Sequence, residues 1–214
     1  MSRFLLLFAL LLPVSLPAWA KEPAAPAQVQ PREGDLLFVT AGTQGLSGAI
    51  DAATRRTGAP SYDHVALVAD GAQGLELLHA DTEGSRRQPL DAFMRQARQA
   101  HRQVDVYRLK PPQRAAIAEA VATARGMLGK PYNSTYVPSE DSYYCSDFIE
   151  RAFRTHRVFA TQPMNFRNLQ TGEFPAHWVQ FYASRGLAIP QGEPGTNPND
   201  MAASPVLEKL GRLD

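Results

Sequence analysis

Cysteine is nearly missing from this chain. It has one cysteine among 214 residues, so it can form no internal disulfide and no paired-cysteine zinc site. Neither sign of charge is in excess. Lys and Arg number 22 against 21 Asp and Glu, which gives no reason to expect nucleic acid or another large polyanion as a partner. No internal repeat points to a stacked-repeat fold. The one long apolar run, Phe4 to Leu16, is too short for a comfortable membrane-spanning helix, so no stable span is expected. No cysteine follows that run, which excludes a lipid-anchored start.

The same run does have the form of a secretion signal. Met1-Ser2-Arg3 is basic, the run is apolar, and Ala18-Trp19-Ala20 gives a small-x-small cleavage pattern. Residues 1–20 are therefore expected to be a signal peptide, and the location periplasmic or secreted. Residues 21–33 read as a Pro/Ala-rich tether. Residues 34–214 are enough for a single domain with a substantial core. In an oxidising compartment a lone thiol is a liability unless it is buried or has a task.

Several segments have clear local character. Gly34 to Thr40 reads as a turn and a strand, and Leu46 to Arg55 as a short helix. Val65 to Ala69 is apolar at every position, as in a strand covered on both faces. Gly71-Ala72-Gln73-Gly74 is short enough to close an antiparallel hairpin onto Leu75 to Ala80. That hairpin would bring His79, near the end of its second strand, beside His64, at the start of its first. Pro89 to Gln99 reads as a helix, Gln103 to Leu109 as a strand, and Pro111 to Leu128 as a long helix closed by Gly129. Pro175 to Arg185 reads as another helix. Pro190 to Pro205 reads as irregular chain, and Pro205 to Leu210 as a last short helix.

The chemistry centres on Ser142-Tyr143-Tyr144-Cys145-Ser146-Asp147-Phe148. Phe148, Ile149, Ala152 and Phe153 fall on one helical stripe, and loop-forming residues precede them. Cys145 therefore stands at the first turn of a helix, where unpaired N–H groups and the helix dipole favour an anion. A thiol with an ordinary pKa of about 8.5 also needs an imidazole, and a further polar group to orient that imidazole. His64 is the candidate base and His79 the candidate orienter, with Asp81 a substitute if the register slips. His177 is held in reserve as base. Tyr132 and Tyr144 are candidates to line the site. Each has a plain structural reading as well: free cysteines are often small core residues, single histidines are often structural, and tyrosines often only pack.

Four motifs in order carry a resemblance. They are Asp63-His64-Val65-Ala66-Leu67-Val68, Leu78-His79-Ala80, Gly129-Lys130-Pro131-Tyr132 and Tyr144-Cys145-Ser146-Asp147-Phe148. Together they resemble the permuted papain-like family typified by YiiX and YaeF, within the NlpC-type superfamily of cell-wall peptidases. The resemblance implies an α+β, circularly permuted papain-like fold, with a small, mostly antiparallel sheet packed with helices. It also implies Cys145 as nucleophile, His64 as base and His79 in the third polar position, where much of this family has a carboxylate. The activity it implies is thiol-dependent cleavage of an amide, with a peptide or acyl-amide substrate such as a cell-wall fragment. That chemistry calls for no metal or cofactor. Two alternatives stay open at this point: an acyltransferase or lipid-directed hydrolase using the same thioester, and a peptide- or amino-acid-binding domain with an inert sulfur.

Overall fold

The computed structural model describes residues 29–213. The expected signal peptide lies outside these residues, as does most of the tether.

Six strands form one sheet whose every adjacent pair is antiparallel, in the order β4-β3-β2-β1-β5-β8. They are β1 (Leu36–Thr40), β2 (Tyr62–Gly71), β3 (Gly74–Asp81), β4 (Gly84–Pro89), β5 (Val104–Leu109) and β8 (Leu207–Leu213). The helices are α1 (Gly45–Thr54), α2 (Leu90–Gln99), α3 (Ile117–Gly126), α4 (Cys145–Ala152), α5 (Ala176–Ala183) and α6 (Pro198–Ala202). A two-residue ribbon, β6 (Gln162–Pro163) with β7 (Pro194–Gly195), ties the C-terminal third together.

Strand alternation distributes the sheet between two layers. Val65, Leu67, Ala69, Leu78 and Ala80 point to one face, where α3 and α4 supply Ala120, Ala124, Phe148 and Ile149. Ala66, Val68 and Leu77 point to the other, where α2 supplies Phe93, Met94 and Ala97. The apolar run in β2 is thus explained: helices cover both of its faces. A third cluster lies to the side, with Tyr136, Tyr144, Met164, Phe166, Trp178 and Tyr182. Phe148 is 0% exposed and anchors the helix that bears the cysteine. Phe148→Ala is expected to lower unfolding free energy by about 3–5 kcal/mol, read from the urea midpoint.

Two local expectations need correction, and one strand had no assignment. Residues 205–210 are not a helix. Leu207–Leu213 is strand β8, the edge partner of β5, and the late helix is instead Pro198–Ala202. Gly84–Pro89, unassigned above, is strand β4, turned tightly out of β3 with Asp81 opposite Gly84. Gly84 has φ +99, and a Cβ there would lie 2.5 Å from the Lys130 carbonyl oxygen, so this turn needs glycine. Finally, the Pro111 helix begins as a 3-10 turn, Pro111–Ala116, before becoming α-helical. Prolines at its first positions leave no N–H to donate.

Candidate active site

Cys145 is the first residue of α4, and Tyr144 before it is extended, with φ −97° and ψ 167°. The chain therefore turns from extended to helical at the sulfur, among N–H groups that the helix leaves unpaired. The thiol is 4% exposed. Its Sγ lies 3.8 Å from the carbonyl oxygen of Asp63. The backbone N–H groups of Val65, Ser146 and Cys145 itself act to lower its pKa. Sγ thus sits against the β2 backbone on both sides of His64.

The histidines meet as the hairpin requires. With Gly71 opposite Gly74 and Leu67 opposite Leu78, His64 Nε2 is 3.0 Å from His79 Nδ1. Both rings lie near Phe93 of α2, with centroids 6.0 Å and 5.7 Å away. Because Nε2 of His64 is engaged by His79, Nδ1 is the nitrogen left to take a proton. His79 is 1% exposed; among the described residues its Nε2 makes no hydrogen bond of good geometry, although the Gln88 side chain acts on the ring and favours its protonated form. Asp81 approaches His79 Nδ1 at 3.9 Å but is itself gripped by Arg86 at 2.6 Å. The hydrogen bond to the His64 ring therefore comes from His79, with Asp81 one step behind.

The structure brings sulfur and imidazole to the same end of β2, on opposite sides of the sheet backbone. His64 and His79 face α2, while Cys145 packs in the layer of α3 and α4. Among the described residues no hydrogen bond joins Sγ to the His64 ring; the thiol's partner is the Asp63 carbonyl. Two cavities follow this division. One, of about 310 Å³, is lined by Asp63, His64, His79, Asp81, Gln88 and Arg102 among others. The other, of about 50 Å³, is lined by Cys145 with Tyr132, Tyr136, Tyr144, Phe166 and Trp178 among others. Ile50, Asp63 and Tyr132 border both.

The electrostatics describe a neutral resting pair. Burial, followed by the negative charge of Asp63, pushes the Cys145 thiol up to about 12. Burial, followed by the neighbouring His79, pushes His64 well below the usual imidazole range. Burial also lowers His79, to about 4. The helix start does favour the thiolate, as expected, but exclusion of water and an adjacent carboxylate outweigh it.

Asp63 is the functional candidate that sequence reasoning left without a role. Ser47 donates a hydrogen bond to its carboxylate and Arg102 forms an ion pair with it. Ser47 Oγ in turn accepts from the N–H of Gly42 at 2.5 Å. Its position next to His64 was the available signal; its partners, on α1 and beyond α2, were not foreseeable. Asp63→Asn should speed iodoacetamide labelling of Cys145 near neutral pH by roughly tenfold, because it removes a charge that opposes the thiolate while Arg102 remains. An unchanged rate would mean that Asp63 does not hold the sulfur neutral.

Tyr132 stands between the two cavities, its hydroxyl 3.4 Å from that of Tyr136. Tyr144 is held by the Thr196 N–H at 3.0 Å, and Thr196 Oγ1 donates to Ser146 Oγ at 3.0 Å. The segment 196–198 therefore closes over the first turn of α4 and lines the sulfur's cavity. His177 keeps apart from the histidine pair, stacked on Phe181 at 6.2 Å between centroids.

An antiparallel sheet with a cysteine-headed helix packed on it, and a histidine-bearing strand beneath that cysteine, defines a papain-like fold in permuted order. The chain belongs to the permuted papain-like amidase family YaeF/YiiX, C92, whose sequence pattern matches residues 30–211. Among solved structures it is similar to the crystal structure of the protein described as metalloprotein yiiX from Escherichia coli O157:H7. The two share 22% identity with a TM-score of 0.66, over 86% of this chain and 98% of that one. No curated protein matches the chain.

Proposed function

We propose that this protein is a secreted thiol amidase that cleaves peptide-type amides through a thioester. Cys145 Sγ attacks the carbonyl carbon while His64 Nδ1 takes the thiol proton. The backbone N–H of Cys145 supports the oxyanion. His64 returns the proton to the amine as the C–N bond breaks, and water then hydrolyses the thioester to a carboxylate and free thiol. His79 holds the His64 ring through Nε2. Cell-wall peptides are the substrate class that the family's superfamily and the signal-like N-terminal sequence suggest.

The observation that carries this reading is the seat of the sulfur: it touches the backbone on either side of His64, and the Nε2 of that histidine is already engaged by His79. The ring and the sulfur have to meet when substrate enters, and both already stand at the same end of β2. Catalytic contacts commonly tighten only in the substrate complex. Among the described residues no group of three or more His, Cys, Asp or Glu side chains is disposed to hold a metal.

A second reading draws on the raised thiol and lowered imidazole: a peptide-binding domain whose sulfur is inert. Iodoacetamide labelling with and without a panel of wall-peptide amides separates the two. Release of new amino groups, together with a transient acyl adduct on Cys145 seen by intact mass, supports the amidase. Saturable binding with no adduct and no product supports the binding domain.

A further inference from the structure

The small cavity beside Cys145 has a character that the proposed reaction does not require. Most of its wall surface is apolar or aromatic, drawn from four separate parts of the chain: Ile50 of α1, Tyr144 at the head of α4, Met164 and Phe166 after β6, and Trp178 of α5, with the Asp63 carboxylate as its charged member. The wall is tight. A Cβ on Gly195 would collide with the Met164 sulfur and come within 2.8 Å of the Tyr144 hydroxyl. One wall residue is left unfinished: Trp178 is 2% exposed, and its indole N–H has no acceptor among the described residues. A buried donor without an acceptor is costly, so most such groups in folded proteins are paired.

Size limits what can enter. The cavity measures about 50 Å³, on a scale where one water needs roughly 10–15 Å³ and a benzene-holding cavity has about 150 Å³. It therefore admits on the order of two to four methyl-sized groups. A long acyl chain does not fit, and an anionic side chain would lose its hydration and meet the Asp63 carboxylate on the same wall.

We propose that this cavity is the acyl-side specificity pocket of the site. It takes a short aliphatic group, of the size of an alanyl to valyl side chain, next to the carbonyl that Cys145 attacks, while the Trp178 indole N–H donates to a carbonyl oxygen of the same substrate. This rests on the amidase reading and narrows it, since it sets the site against lipid acyl groups. The larger polar cavity past Tyr132, with its histidines and Arg102, is then left to the amine side of the scissile bond.

The test does not depend on turnover. The chain has two tryptophans, Trp19 and Trp178, so the Trp178 indole N–H resonance of 15N-labelled protein is readily assigned with a Trp178→Phe sample. The unmodified protein is titrated with acetamide, isobutyramide and octanamide. Isobutyramide should shift the Trp178 signal and bind about tenfold more tightly than octanamide, the scale of an overpacking penalty. Met164→Ala, which enlarges the wall, should narrow or reverse that preference. An indole signal unmoved by every amide, or octanamide binding as well as isobutyramide, overturns the pocket. If Cys145 is acylated by short and long p-nitrophenyl esters at equal rates, the amidase stands and the pocket falls. If no ester acylates Cys145 yet isobutyramide still shifts Trp178, the pocket stands and the thioester chemistry falls.

Discussion

Replacing Cys145 with alanine should abolish amide cleavage, lowering kcat by at least about four orders of magnitude while leaving the fold intact. The size of the expected loss follows from what remains. Without sulfur the site still has its first-turn N–H groups and both cavities, which on the proposed mechanism would bind and polarise a carbonyl but offer nothing to attack it. The stability change should be small by comparison. Cys145 is a compact buried side chain, and losing its sulfur removes little packing next to Phe148 and Ile149. The measurement is turnover on wall-peptide amides beside a urea midpoint for the same sample. Activity within tenfold of the parent, with an unchanged midpoint, would remove Cys145 from the chemistry. Cys145→Ser makes a useful companion, since it keeps a hydroxyl in place of the thiol. Its alkoxide is far harder to form than a thiolate in a site that already resists negative charge, so it should be nearly as impaired.

The hairpin was the most legible part of this site. A four-residue Gly-x-x-Gly turn between apolar strands sets the register, and the register brings His64 to His79. The start of α4 was equally readable, because the apolar stripe after Cys145 is long and the residues before it are loop-forming. What stayed hidden was the face on which each side chain falls. Val65 to Ala69 is apolar throughout, so alternation in β2 gives no sign of which layer His64 joins. Only the packed helices show that its ring meets Phe93 while Cys145 meets the other layer. β8 misled for a related reason. Leu207, Leu210 and Leu213 recur every three residues, as in a helix. In the sheet an irregularity in register between β5 and β8, with Gly211 at φ 141°, shifts the alternation so that Leu207 packs in one layer and Leu210 and Leu213 in the other. The Asp63–Arg102 pair spans parts of the chain whose proximity no local pattern encodes.

His64→Gln should cost about 10²–10⁴-fold in turnover, the usual range for losing a positioned acid–base group. The pH profile makes the test sharper. Only the neutral imidazole can accept the thiol proton, and burial together with the neighbouring His79 pushes His64 below its ordinary 6.5. The acid limb of kcat/KM is therefore expected well below pH 6, with the rate lost as pH falls through the lowered pKa. His79→Ala removes one of the causes and admits water, so the limb should move up towards the ordinary imidazole range while kcat falls through poorer orientation. Stability has the same sign. Both folded-state values lie below the unfolded 6.5, so the unfolded chain takes up protons first. The histidines' contribution is complete above about pH 6.5 and is progressively lost as pH falls towards the folded values. A His64→Gln/His79→Gln chain should show a flatter fall in urea midpoint between pH 7 and pH 4.5. A merely structural His79 would alter the midpoint without moving the acid limb. A limb that stays put in His79→Ala therefore removes His79 from the positioning role and leaves it as a packed residue of the α2 layer.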